Sequence, residues 1–382
     1  MDAATILAQV KPLFGEIGLT RIANVTGLDS VGIPVVSVSR PNSRSNAVSQ
    51  GKGLTLELAK ISGVMESIET WCAEHIVRPV YFASARELAR EHRVVDTEQL
   101  CRVAGSPLSI DTRILWIEGK EIVSGEACLL PYELVHTDFT LPRPPGSGHF
   151  LLSTNGLASH ATMAAALLHG LCEVIERDAA TLFTLNHRLW TERRVDLGSV
   201  DDADCRATLA KLKNAGLAVG VWDITSDVAI AAFRCQIMEQ AAGDHAVAIP
   251  AEGHGCHPNR AVALVKALVE AAQTRLTAIS GARDDLGADI YGFASDPQGL
   301  ERWRGNLNAN DSRRLFGQAP TSAEGALSYV LTCLAAAGFN EVLAVDLSPP
   351  AGICAVARVV VPGLEGPMHR FYAAVRRSRA AP

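Results

Sequence analysis

Glutamates recur three residues apart on two stretches of helical periodicity, and neither pair falls on the face that water would claim. The first stretch, residues 54–77, reads LTLELAKISGVMESIETWCAEHIV. At about 100° per residue, Leu58, Ile61, Met65, Ile68, Cys72 and Ile76 align as an apolar stripe. Lys60, Ser67, Thr70 and Glu74 lie opposite and are expected to face solvent. Ser62, Glu66 and Glu69 belong to neither face and stack on the flank of the stripe, because residues i, i+4 and i+7 share one side of a helix. A carboxylate at the edge of a core needs cations or donors around it.

A second stretch, about 160–186, is apolar or small nearly all round, the pattern of a buried helix. Its charges are confined to Glu173, Glu176, Arg177 and Asp178, and His169, Glu173, Glu176 and Ala180 share one face. A third helix, about 259–280, places Lys266, Glu270, Gln273 and Thr277 on a polar face. Arg275 lies opposite, among Leu264, Leu268, Ala271 and Ile279. An arginine on a core-facing side calls for a carboxylate or phosphate partner.

The three helices suggest one site. Two E-x-x-E pairs offer hard oxygen ligands suited to Mg²⁺, an ion usually shared with phosphate oxygens. Arg275 offers charge for phosphate, and Gln50-Gly51-Lys52-Gly53 puts a lysine just before the first helix, where anions are favoured. The bland alternative is that E-x-x-E is a solvated face, as charged residues usually are, and that Arg275 pairs with an internal carboxylate. No G-x-x-x-x-G-K-[ST] and no G-x-G-x-x-G occurs, so neither a P-loop nor a dinucleotide fold is expected. His254, Cys256 and His257 crowd one short segment; ligands this close rarely share a zinc, and a strand-to-helix loop is the expectation there.

Composition limits the classes. Lys and Arg number 35 against 41 Asp and Glu, a formal net charge of −6, which argues against general binding to nucleic acid or anionic membranes. The beginning shows no secretory pattern, and the uncharged stretch 150–172 reads as a loop and a buried helix, not a membrane span. Nine cysteines are scattered without a CxxC pair, as expected for free thiols in a reducing cytoplasm. Strands are predicted at about 33–39, 113–118, 121–129, 218–224, 229–238, 245–251, 341–347 and 353–361, with a further helix near 322–337. This mixture predicts an α/β fold of mixed α+β layers. The segment 141–148 (LPRPPGSG) is the expected seam between halves 1–140 and 149–382 of a single domain.

Four ordered motifs now carry a resemblance. Ser62-x-x-x-Glu66-x-x-Glu69 after Gly51-Lys52-Gly53, His169-Gly-Leu-Cys-Glu173-Val-Ile-Glu176-Arg177-Asp178, Glu270-Ala-Ala-Gln273-Thr-Arg275, and Arg358-Val-Val-Val-Pro362-Gly resemble the YcaO family over nearly the whole chain. Thr154-Asn155-Gly156 fits as well, and the opening, through Thr20-Arg21 and Ser39-Arg40-Pro41, is most similar to the stand-alone branch associated with TfuA proteins. The resemblance implies a YcaO-type ATP-binding fold, neither P-loop nor Rossmann. It implies that Lys52, Ser62, Glu66, His169, Arg177 and Arg275 serve ATP, and that Glu66, Glu69, Glu173 and Glu176 hold Mg²⁺. No catalytic base is implied.

The implied reaction is ATP-dependent activation of a peptide backbone amide through phosphorylation of its oxygen. With sulfide as nucleophile the product is a thioamide; with a Cys, Ser or Thr side chain it is an azoline. Relatives often have Gly at the position of His160 and Glu at that of Ala165. Azoline-forming members tend to end in a Pro-rich tail, whereas this chain ends Arg376-Arg377-Ser-Arg-Ala-Ala-Pro382. The expectation is therefore thioamidation of a peptide or protein substrate with a TfuA-like partner and a sulfide donor, in the cytoplasm, by a homodimer. Azoline formation and a non-catalytic scaffold of the same fold are the alternatives.

Overall fold

The structure, a computed structural model, describes residues 3–240, 249–283, 296–308, 314–322, 327–350, 352–367 and 375. In chain order its helices are α1 (Ala3–Val10), α2 (Leu56–Glu74), α3 (Ala85–Leu88), α4 (Met163–Leu185), α5 (His187–Glu192), α6 (Ala203–Asn214), α7 (Arg260–Ser280), α8 (Pro297–Asn308) and α9 (Leu327–Ala336). The strands are β1 (Arg21–Asn24), β2 (Val35–Ser39), β3 (Val48–Lys52), β4 (Val80–Ser84), β5 (Arg113–Glu121), β6 (Ala127–Pro131), β7 (Leu157–His160), β8 (Val195–Asp196), β9 (Leu217–Asp223), β10 (Ala232–Glu239), β11 (Ala251–Cys256), β12 (Arg314–Leu315), β13 (Leu343–Asp346) and β14 (Ala355–Val360). The expected mixture of helix and sheet is present. The chain divides into two compact units, Met1–Asn42, Asn46–Ser67 and Phe183–Gly325 in the first, and Ser43–Ser45, Ile68–Leu182 and Ala326–Pro382 in the second. The Pro/Gly segment 141–148 lies inside the second unit.

The first unit holds two antiparallel three-stranded sheets, ordered β1-β2-β3 and β11-β10-β9. Its core joins Phe233, Cys235 and Ile237 of β10 to Leu264, Leu268 and Ala271 of α7 and Leu209 and Leu212 of α6. The other side of β10 carries Arg234 and Gln236, also buried. Arg234 meets Glu252 at 2.6 Å, Thr184 at 3.1 Å and the Trp190 ring at 4.6 Å there, while its Nε has no partner among the described residues. Burying a guanidinium on a sheet requires that matching.

One correction arises in this unit. The segment 253–256 is strand, not the expected loop, and its glycines have a steric reason. A Cβ on Gly253 would stand 2.2 Å from Ala271 N, and one on Gly255 2.1 Å from Ala263 O, so only glycine lets β11 lie against the α7 backbone. Gly51-Lys52 is likewise strand, paired through Gly51↔Val36 and Lys52↔Val35. A Cβ on Gly51 would stand 1.9 Å from Ala59 O. Most of the strand expected at 245–251 falls outside the described residues, as do the tail from Arg376 and part of 322–337.

The second unit is built on a six-stranded sheet, β4-β5-β13-β14-β7 with β6 also on β5. Ala166 of α4 packs with Ala355 and Ala357 of β14. The solvent-facing side expected for α2 is a further correction. Ser67, Thr70 and Glu74 are buried, while Leu58 of the apolar stripe is 43% exposed. Glu74 is tolerated because Ser43 Oγ, Ser45 N and Ser45 Oγ donate to it at 2.7, 3.0 and 2.5 Å. The Ser67 hydroxyl donates to the Gly63 carbonyl oxygen at 3.1 Å. Polar residues on α2 thus mark internal hydrogen bonding, which wheel arithmetic cannot distinguish from hydration.

Candidate functional site

In the first unit Lys52, Ser62 and Glu66 come together. Strand β3 runs along the start of α2, so the Lys52 N–H donates to Ser62 Oγ at 3.4 Å. One turn on, the half-buried Glu66 carboxylate accepts the backbone N–H of Gln50. Burial pushes the Glu66 carboxyl above its ordinary range. Arg283, Lys52 and the Gln50 N–H pull it down, and neighbouring Glu270 pushes it up again. A carboxyl so placed gains from any added cation, because its charged form is the one burial disfavours.

The polar face of α7 closes this group. Lys52 Nζ meets Glu270 Oε2 at 2.6 Å, and Glu270 Oε1 accepts the His254 N–H at 3.2 Å. Gln273 donates to Gln50 O at 2.5 Å, and Thr277 donates to the Gln50 side chain. Glu270 and Arg283 were absent from the expected site residues. Glu270 had a sequence signal in its helical face, whereas Arg283 lies beyond α7 and had none.

Arg275 does not join them. Its Nε and Nη1 meet Asp29 at 3.0 Å and Glu239 at 2.5 Å. Its side chain is 10% exposed, against 4% and 18% for the two carboxylates. Arg275 is thus paired with two partly buried internal carboxylates, the alternative to a phosphate partner set out from the sequence.

In the second unit Glu69 is fixed to β7. Its Oε1 accepts the backbone N–H of Ser159 at 2.8 Å and the Ser159 hydroxyl at 2.7 Å. On α4, His169 is exposed, Glu173 and Arg177 are half-buried, and Glu176 is 4% exposed. Arg177 Nη2 stands 3.7 Å from Glu176 Oε1. Glu173 acts on a residue not expected in the site. Burial lowers the Arg358 guanidinium to about 10, and the Glu173 charge opposes that shift.

The donor set decides what these groups suit. Glu66, Glu69, Glu173 and Glu176 supply carboxylate oxygens only, which match a hard cation. Among the described residues, no group of three or more His, Cys, Asp or Glu side chains is gathered to hold a metal. Carboxylate oxygens suit Mg²⁺, which takes one or two of them and fills its remaining positions with water and phosphate oxygens. They do not suit zinc, which wants a closed set of nitrogen and sulfur ligands. No helix among the described residues is long and apolar enough to cross a membrane.

Strand-backed helices with partly buried carboxylates, Lys52 beside one of them and no phosphate-binding loop, define a class of α/β protein suited to metal–polyanion ligands. The family described as YcaO cyclodehydratase, ATP- and Mg²⁺-binding, matches residues 50–365. The chain belongs to the YcaO family, and ATP and Mg²⁺ are its cofactors. An uncharacterized protein in the tfuA 3′ region of Rhizobium leguminosarum bv. trifolii is 36% identical over 373 residues, covering 95% of this chain and 87% of that one. A protein of Methanothermobacter thermautotrophicus is 33% identical, covering 91% and 90%. Among solved structures, YcaO from Methanopyrus kandleri bound with AMPPCP and Mg²⁺ superposes with a TM-score of 0.73 at 20% identity, covering 97% of this chain and 95% of that one. A heterocyclase in complex with substrate and cofactor gives 0.77 at 19% identity; it covers all of this chain, which spans 55% of that protein's length.

Proposed function

We propose that this chain activates a backbone amide of a peptide or protein in an ATP- and Mg²⁺-dependent reaction, and that the product is a thioamide made with a TfuA-like partner and a sulfide donor. The observation that carries the amide-activating reading is the family match over residues 50–365, with Lys52, Ser62 and Glu66 brought together in the first unit. The tfuA-region relative, at 36% identity, supports the choice of partner and product.

In this reading Lys52, Ser62, Glu66, His169 and Arg177 face the nucleotide, and Glu66, Glu69, Glu173 and Glu176 supply oxygens to Mg²⁺. Bound Mg²⁺-ATP supplies the phosphoryl group that turns the amide oxygen into a leaving group. Lys52 and Arg283 offset negative charge near Glu66, and the two Ser159 hydrogen bonds hold the Glu69 carboxylate in place. Such fixed dipoles and charges act without reorganising. We place the protein in the cytoplasm, a reading supported by nine cysteines that are all free thiols.

Calorimetric titration of Mg²⁺-ATP into wild type and Glu173→Gln tests the nucleotide role. Binding in the wild type that the variant loses is expected; absence of binding in the wild type would favour a scaffold. Mass analysis of substrate treated with partner and sulfide then decides the product. Exchange of oxygen for sulfur is expected. Loss of one water would instead identify an azoline, the second reading, which the cyclodehydratase description of the family favours.

A further inference from the structure

A cavity in the second unit has polar groups that the nucleotide reading leaves unused. It measures about 60 Å³ and is lined by Arg358, Asn155, Glu365, Ser153, Leu134 and Val174, among others. That is room for about four waters, comparable with the heavy atoms of one amide group. Arg358 is 2% exposed. Its Nη2 donates to Ser153 O at 2.6 Å, while Nε and Nη1 are buried without a partner among the described residues. Asn155 Oδ1 is buried and unpartnered as well. Buried polar atoms are rarely left so, and two donors and an acceptor in one cavity call for a ligand that complements both.

The charges narrow the choice. Glu365 is 2% exposed on the same wall, and the Glu173 charge also reaches Arg358. An anion would satisfy the guanidinium but meet those carboxylates, and it would leave Asn155 Oδ1 without a donor. A bare cation would meet Arg358. A neutral group with a carbonyl oxygen beside an N–H meets every unpartnered atom.

We propose that this cavity seats a secondary amide of peptide type, its carbonyl oxygen accepting from Arg358 and its N–H donating to Asn155 Oδ1. The inference deepens the proposed function, resting on it only for the choice of a peptide as the source of the amide. Arg358 and Asn155 then fix which peptide bond enters and which way its oxygen points.

The full-length protein labelled with ¹⁵N-arginine provides the test, with the Arg358 Nε–H resonance assigned by its loss in Arg358→Lys. N-methylacetamide is titrated in one arm and sodium acetate in the other. The amide is expected to shift the resonance saturably, with affinity lower by about threefold or more in Asn155→Ala, in line with one lost hydrogen bond. Acetate at equal concentration is expected to leave it in place. Asn155→Ser serves if Asn155→Ala fails to fold, as judged from the remaining arginine resonances. A shift with acetate but not with the amide overturns the proposal in favour of an anion site, and no shift with either overturns it outright. Titration of Mg²⁺-ATP into the same sample reads the nucleotide assignment separately. ATP binding without an amide shift defeats this inference alone; an amide shift without ATP binding defeats the proposed function alone.

Discussion

Glu69 receives both hydrogen bonds to its Oε1 from one residue, the N–H and hydroxyl of Ser159, at 2.8 and 2.7 Å. The backbone half of that clamp survives substitution by alanine, and the hydroxyl half does not. Ser159→Ala is expected to cost about 1.5–3 kcal/mol, the usual scale for a hydrogen bond to a charged acceptor. The urea midpoint reads this directly. Glu69→Gln is expected to abolish ATP turnover, and full activity in that variant would remove Glu69 from the metal set.

Arg275 separates a structural arginine from a ligand-binding one. Arg275→Met leaves the partly buried Asp29 and Glu239 without their cation, and about 3 kcal/mol of stability should be lost, the lower end for a buried pair. The folded fraction should still bind Mg²⁺-ATP with wild-type affinity. Loss of binding in a variant of normal stability would return Arg275 to the phosphate role.

Acid should weaken the second unit through His136. This side chain is 1% exposed, its Nδ1 accepts the Asp138 N–H at 3.2 Å, and its ring stacks on Tyr132 at 4.6 Å. Its pKa is lowered from 6.5 to about 4, chiefly by burial, with Asp138 opposing the shift and Arg358 and Arg143 adding to it. Between these values the unfolded chain takes up a proton that the folded one refuses. The contribution to stability is therefore full above pH 6.5 and falls as pH drops towards 4, by up to about 3 kcal/mol. Urea titrations across that range should show the decline, and His136→Phe should flatten it. An equal slope in the variant would assign the decline to other groups.

Gly51 tests the contact between β3 and α2. A methyl group there would overlap Ala59 O and Gly63 N, at 1.9 and 2.2 Å. Both are backbone atoms and cannot turn aside. Gly51→Ala should cost about 3 kcal/mol, the upper end of overpacking, and should lower Mg²⁺-ATP affinity by moving Lys52. Unchanged stability would mean that the strand does not press on the helix.

Periodicity located the long helices because each presents several turns of consistent pattern, and α2, α4 and α7 lie close to their expected spans. Short strands such as β1, β4 and β7 have four or five residues, too few to outweigh their surroundings. The segment 253–256 misled because two glycines suggest a turn, while here they admit a helix backbone. Within the site, Glu66 and Glu69 were legible as charges in the wrong place on a wheel. The partners of Arg275 were not, because Asp29 and Glu239 are 246 and 36 residues away in sequence. Ser67, Thr70 and Glu74 misled for the complementary reason, since a polar face looks the same whether water or chain satisfies it.

The boundary between the two units falls inside continuous helices. α2 (Leu56–Glu74) passes it at Ser67 and α4 (Met163–Leu185) at Leu182. No single scissile position therefore yields an intact half. A cut after Ser67 leaves most of the first unit behind, and one after Leu182 leaves each fragment holding parts of both. For the protein engineer this excludes simple modularity: neither unit is transplantable as a contiguous cassette, and split-reporter fusions must reconstitute both units together or neither.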